Sequence, residues 1–142
     1  RVTGVTNGVI SIEFIVTDFT GGGNGNHDYP ITINWDLKSN RLLENSELFC
    51  KKDFISTLVP LVRKEIVRNF SNSKYMEQPL DPAIISWVNS GTENDTDNWQ
   101  YFVLNKKGLV AVFSSYQVTS GASGIVRALI PYSDIPNLIC LP

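Results

Sequence analysis

Few side chains in this sequence are of the types that catalyse reactions. His27 is the one histidine among 142 residues, so a Ser-His-Asp triad or a histidine-rich metal site has little to build on. Glu93, Asp95 and Asp97 alternate in a polar stretch and offer oxygen ligands, but they lack the glycine and the distal glutamate of an EF-hand. We therefore predict a solvated loop there, and no catalytic residue, metal or cofactor.

Aromatic side chains favour binding over catalysis. Trp35, Trp87, Trp99, Tyr101 and Tyr116 could stack on sugars or anchor a protein, because aromatic faces give a large contact area at low entropic cost. Trp35 lies on the apolar side of an alternating strand pattern, which predicts core packing. Tyr116 stands where a strand runs into a loop of small residues, so an anchoring role and a ligand-contacting role both stay open.

Two loops are rich in glycine and small residues, at positions 21–28 and 115–124. Binding residues tend to lie on loops that a rigid scaffold holds in place. We predict that both loops lie at one end of the domain and face a partner, with ligand contacts from Asn24, Asn26, His27, Tyr116, Gln117 and Ser120. The alternative is that the loops are plain connections and that an exposed sheet face meets an upstream domain.

Composition sets the class of protein. Hydrophobic residues make up 42% of the chain and the net charge is −2, which predicts one folded domain over residues 1–142 and disfavours nucleic acid as a partner. No run of about 18 apolar residues is present, so we expect no membrane span. The chain does not open with methionine, and we expect a further N-terminal portion. Cys50 and Cys140 are equally compatible with one bridge or two buried thiols.

Alternation predicts the strands. Residues 9–19 follow a period of two, and so do residues 29–37 after the glycine-rich loop, so these strands could pair antiparallel. The apolar positions of the first strand, expected on its buried face, are Ile10, Ile12, Phe14 and Val16. The clearest hairpin joins 99–104 to 109–113, and a last strand covers 125–130.

One apolar stripe predicts the main helix, formed by Phe54, Leu58, Val62, Ile66 and Phe70. Pro60 conflicts with a straight helix from residue 53, so we expect a kink or a start near Ser56. Asp81 followed by Pro82 predicts the start of a short second helix. The predicted fold is α+β: an antiparallel or mixed sheet of about five strands with one long and one short helix packed on it.

Three segments together resemble a known bacterial family. They are the glycine-rich loop followed by ITINWDLKSNRLL at 31–43, SELF at 46–49, and KGLVAVFSSYQV at 107–118 with Gly124 and IPYSDI at 130–135. Their order and spacing are similar to the RsiV-like C-terminal domain family, which occurs in a lysozyme-sensing anti-sigma factor, in envelope lipoproteins and in some polysaccharide-deacetylase chains. The resemblance covers about residues 8–135.

The resemblance implies a location and a role. It implies an extracytoplasmic, non-catalytic module that follows a second small domain and binds or senses a protein, such as lysozyme, or a cell-wall glycan. An alternative from another class is an accessory domain of a carbohydrate-active enzyme, such as a peptidoglycan deacetylase, whose catalytic domain lies elsewhere. A third is a structural spacer beside a neighbouring domain.

Overall fold

A computed structural model describes residues 1–19, 21 and 26–141. Seven strands and two α-helices follow one another in the order β1 Val2–Thr6, β2 Val9–Phe19, β3 Asn26–Asp36, β4 Arg41–Leu42, α1 Phe54–Ser71, α2 Pro82–Gly91, β5 Phe102–Leu104, β6 Gly108–Phe113 and β7 Val126–Pro131. Short 3₁₀ turns lie at Asn45–Leu48, Thr96–Asn98, Gly121–Ser123 and Tyr132–Asp134. The predicted α+β class with one longer and one shorter helix is confirmed. The strands form two antiparallel sheets, β1-β2-β3-β4 and β5-β6-β7, instead of one.

Strand β1 was not predicted, although a hairpin signal precedes β2. Asn7 and Gly8 join β1 to β2 with φ of 48° and 81°. A two-residue hairpin loop of this kind needs positive φ at both positions, which Asn-Gly supplies at low cost. Val5 lies opposite Ile10 in the regular register, and an irregularity between Val2 and Gly4 puts Val2 opposite Ile12.

The three-stranded sheet and α1 form the core. Leu58, Val62 and Ile66 of α1 are completely buried, and α1 packs on β7. The predicted stripe is therefore confirmed. Pro60 lies inside the helix, at an exposed position, and the helix begins at Phe54, so the later start near Ser56 is not seen. All six residues of β6 are buried, because both faces of this strand are covered.

In the four-stranded sheet, the buried face and the exposed face are the reverse of those predicted. Its buried side carries Val9, Ser11 and Glu13, whereas Phe14 and Trp35 lie on the outer side and are exposed. The predictions of core packing for Trp35 and of a buried face through Ile10, Ile12, Phe14 and Val16 are wrong. The physical reason lies in the unpaired edge of β5, whose backbone groups need hydrogen-bonding partners.

Polar side chains of the first sheet supply those partners. The Asn34 amide donates to the carbonyl of Phe102 at 2.9 Å, and the backbone N–H of Leu104 donates to the Ser11 hydroxyl at 3.0 Å. The Thr3 hydroxyl donates to the Leu104 carbonyl at 3.1 Å. Ser11 also donates to Asn34, so the buried network is connected. Where the inner face of the sheet meets β5, it thus has to be polar.

Candidate functional site

The two loops predicted to form one surface do meet, as far as they are described. The backbone N–H of Ser115 donates to the Asp28 carbonyl at 2.9 Å, and the Asp28 N–H donates to the Ser115 hydroxyl at 2.9 Å. These bonds join positions 87 apart in the chain and place residue 116 beside the start of β3. Asn24 and the side chain of Asn26, also predicted as ligand contacts, lie outside the described part of the chain.

Tyr116 is held as a fixed, half-exposed aromatic. Its φ is 67°, a backbone region that costs a residue with a side chain free energy and persists where the surroundings impose it. The ring is nearly parallel to that of His27, with centroids 6.1 Å apart and 8° between the planes. Gly121 lies under the ring, because a Cβ there would come within 2.1 Å of the Tyr116 ring. Tyr116 therefore presents a preorganised surface.

Trp87 of α2 contacts the backbone of Tyr116. Its indole N–H donates to the Tyr116 carbonyl at 3.0 Å, which fixes the orientation of the ring system. The helix itself starts where the sequence predicts, since the Asp81 carboxylate accepts the Ala83 N–H and Pro82 occupies the first turn. Two segments far apart in the sequence thus converge on Tyr116.

The side chain of Gln117, also predicted as a ligand contact, is hydrogen-bonded to the backbone of the domain itself. Its side-chain N–H groups donate to the carbonyls of Gly91 at 3.1 Å and Asn98 at 2.9 Å, while its side-chain oxygen accepts the Ser114 N–H at 3.2 Å. The amide therefore ties the 114–117 turn to the end of α2. In this arrangement Gln117 supports Tyr116 from within the chain.

An open groove of about 590 Å³, here called the α2 groove, lies beside this turn. Ser120 lines it from one side and Trp87 from another, and Tyr75 stands at its margin with an exposed ring. None of its lining residues is charged; they are Asn69, Phe70, Ser73, Tyr75, Met76, Ile84, Trp87, Thr119, Ser120, Ala122 and Ser123. The contribution of Ser73, Tyr75 and Met76 was missed, because residues 71–80 have no periodic pattern; the one signal there is Tyr75 within a polar stretch.

The acidic loop is organised by its own backbone. The Asp95 carboxylate accepts the Asp97 N–H at 3.0 Å and thereby caps the 3₁₀ turn Thr96–Asn98. Within residues 1–19, 21 and 26–141, no three His, Cys, Asp or Glu side chains are grouped so that they could hold a metal ion. Among the helices of the same residues, none has the length and apolarity needed to cross a bilayer.

A disulfide joins Cys50 to Cys140, which decides between the two alternatives left open by the sequence. The bridge lies beside a short antiparallel pairing, in which the Cys50 N–H donates to the Leu138 carbonyl and the Cys140 N–H donates to the Leu48 carbonyl, both at 2.9 Å. It closes a loop of 90 residues. Bridges over long loops commonly stabilise a fold by about 2–4 kcal/mol.

The fold and site define an α+β domain with an uncharged, aromatic-walled groove at one end. Residues 46–133 match the family model described as protein of unknown function (DUF3298), so the chain belongs to the DUF3298 family. No curated protein matches the chain.

Two solved structures share the fold. One is a DUF3298 family member from Bacteroides fragilis NCTC 9343, with 20% identity and a TM-score of 0.72, matched over 99% of this chain and 52% of its own. The other is a DUF3298 family protein from Pseudomonas aeruginosa PAO1, with 13% identity and a TM-score of 0.64, matched over 99% of this chain and 59% of its own. This chain therefore spans little more than half the length of either solved relative.

Proposed function

We propose that the domain is a non-catalytic binding or sensing module of a bacterial envelope protein. Its ligand-facing surface is the end formed by His27, Tyr116 and the α2 groove. One observation carries the proposal: a strained backbone conformation and converging hydrogen bonds hold an exposed aromatic residue next to an open groove. Backbone strain of this kind clusters at ligand-binding sites, where surrounding structure over-determines it.

The chemistry of the groove favours an uncharged saccharide as the ligand. Sugars present apolar C–H faces, which stack on aromatic rings, and hydroxyl groups, which hydrogen-bond to neutral polar side chains. The α2 groove offers both kinds of partner through Trp87, Tyr75, Asn69, Ser73 and Ser120. A cell-wall glycan fits this description. A lysozyme-like protein is the alternative ligand that the RsiV-like resemblance suggests.

The disulfide supports an extracytoplasmic setting. Structural disulfides persist in oxidising compartments and are rare in the reducing cytosol. The Cys50–Cys140 bridge ties the entry of α1 to the last described residues, so it is part of the fold. Two observations support the non-catalytic part of the proposal. The chain has a single histidine, and the Asp95 carboxylate of the acidic loop is engaged with the backbone N–H of Asp97.

The test is titration calorimetry with two probes, a tetrasaccharide of N-acetylglucosamine and hen lysozyme. The wild-type chain should bind one of them saturably. Ser120→Arg places a long side chain in the groove from an exposed position and should weaken that binding by about tenfold or more, equal to about 1.4 kcal/mol. Ser86→Arg is the matched control, because Ser86 is an exposed serine of α2 outside the groove, and it should bind like wild type.

Two results would contradict the proposal. The first is a folded wild-type chain that binds neither probe, or equal affinities for Ser120→Arg and Ser86→Arg. The second is turnover of the tetrasaccharide that disappears when one Asp, Glu, Ser or His is replaced, which would make the domain an enzyme.

A further inference from the structure

The outer side of the four-stranded sheet is a continuous apolar surface, here called the outer face. Antiparallel pairing sets Ile10 opposite Trp35, Ile12 opposite Ile33, and Phe14 opposite Ile31, and β1 and β4 extend the surface on either side. Its eleven side chains belong to Val2, Val5, Ile10, Ile12, Phe14, Val16, Tyr29, Ile31, Ile33, Trp35 and Leu42. The next pair on the same face, Asp18 of β2 opposite His27 of β3, is polar and marks the end of the apolar surface.

Such a surface is unusual for a domain that meets water on that side. An antiparallel sheet with one solvated face normally carries polar residues there. In this sheet the polar residues Ser11 and Asn34 point inward, while Val5, Phe14 and Leu42 are about half exposed. Contiguous apolar patches of this kind mark interaction sites.

Neither helix covers the outer face. Helix α1 packs on β7 and on α2, so both helices belong to the layer of the three-stranded sheet. A four-stranded sheet with both faces removed from water needs a third layer, which residues 1–19, 21 and 26–141 do not contain. A layer that covered the outer face would have to come from other polypeptide.

We infer that the outer face is the seat of a second folded domain of the same polypeptide. Both solved relatives contain this fold over 99% of the present chain and carry additional chain amounting to well over half of the matched length. A covalently linked domain also has a high effective concentration, so it can cover an apolar face without the strong complementarity that a free partner needs. This inference does not depend on the ligand of the α2 groove.

The three tryptophans form a built-in set of probes. Trp35 on the outer face is 37% exposed, Trp87 at the groove is 40% exposed, and Trp99 in the core is 4% exposed. Hydroxyl-radical footprinting with mass spectrometry should compare the 142-residue chain with the natural polypeptide that contains it. In the short chain Trp35 and Trp87 should oxidise at similar rates and Trp99 far more slowly.

In the natural polypeptide Trp35 should fall to the rate of Trp99, while Trp87 keeps its rate. Phe14→Glu should restore oxidation of Trp35 there, because a carboxylate on the outer face opposes docking. Tyr75→Glu, an equally drastic change at an exposed site away from the outer face, should not restore it.

Three outcomes would overturn the inference. Equal oxidation of Trp35 in the two polypeptides would show that the outer face stays in water. Protection of Trp35 in the short chain that grows with protein concentration would show a second copy as the occupant. A natural polypeptide without a second folded domain would remove the occupant altogether.

Discussion

The two sheets of this domain differ in which side chains they bury. In the three-stranded sheet, β6 is buried along its whole length, and α1 covers one side with a stripe of aliphatic residues. In the four-stranded sheet, the buried side carries the polar residues Ser11, Glu13 and Asn34, and the exposed side is apolar. Polarity alone therefore does not decide which face of a strand is buried in this fold.

The difference comes from what each sheet packs against. The three-stranded sheet packs against side chains of a helix, which offer no hydrogen bonds, so apolar residues suffice. The four-stranded sheet packs against the open edge of β5, where Asn34 and Ser11 satisfy backbone groups of Phe102 and Leu104. An unpaired backbone group in the interior costs about 1–3 kcal/mol, which makes polar residues the stabilising choice there.

The largest expected effect is in the helix-covered layer. Leu58→Ala should lower the free energy of unfolding by about 2–5 kcal/mol, because it removes a completely buried side chain and leaves a cavity. Ile31→Ala on the outer face should cost the 142-residue chain less than about 1 kcal/mol, since that side chain is already 44% exposed. Urea denaturation measures both. Similar losses for the two variants would refute the proposed contrast between the sheets.

An intermediate effect is expected within β3, where the polar Asn34 is buried and the neighbouring aromatic Trp35 is exposed. Asn34→Leu should destabilise the chain by about 1–3 kcal/mol, because the Phe102 carbonyl and the Ser11 hydroxyl lose their partner. Trp35→Ala in the same chain should cost less, although it removes a much larger side chain. If urea denaturation gives the reverse order, the polar network is not what holds the two sheets together.

The sequence predicted the helices and most strands because those depend on local patterns. The stripe from Leu58 to Ile66 specifies α1, and Asp81-Pro82 specifies the start of α2. The burial of β2 and β3 could not be predicted, because it depends on the edge of β5, about 70 to 90 residues further along the chain. Alternation gives the period of a strand, while a distant partner decides which side faces inward.

The site was predictable in part for the same reason. Small-residue composition brought out the loop of Tyr116 and Ser120, and pairing of β2 with β3 places residues 26–28 at the end of that sheet. The groove wall formed by Tyr75 was not predicted, because residues 71–80 carry no period and reach the site only through the packing of α1 and α2. The internal role of Gln117 likewise depends on carbonyls of α2 and of the following turn.

The smallest expected effect concerns how the four-stranded sheet is joined to the helical layer. Arg41 of β4 forms an ion pair with Glu47 at 2.6 Å, just before the chain enters α1. The hydrogen bonds from Arg41 and from the Glu44 N–H lower the pKa of Glu47 from 4.5 to about 2. A lowered carboxyl pKa stabilises the folded state above pH 4.5, and this contribution is lost as the pH falls toward 2.

Glu47→Gln should remove this pH-dependent contribution, so the difference in unfolding free energy between wild type and variant should shrink as the pH falls from 5 to 2. Urea denaturation across that range measures it, and added salt should reduce it at pH 5, because the pair is partly exposed. Glu77→Gln, at an exposed position between the helices, is the matched control and should follow the wild-type profile. If the unfolding free energy of Glu47→Gln depends on pH in the same way as that of wild type, this ion pair does not help to join the two regions. The apolar layer and the β5 edge then hold them together.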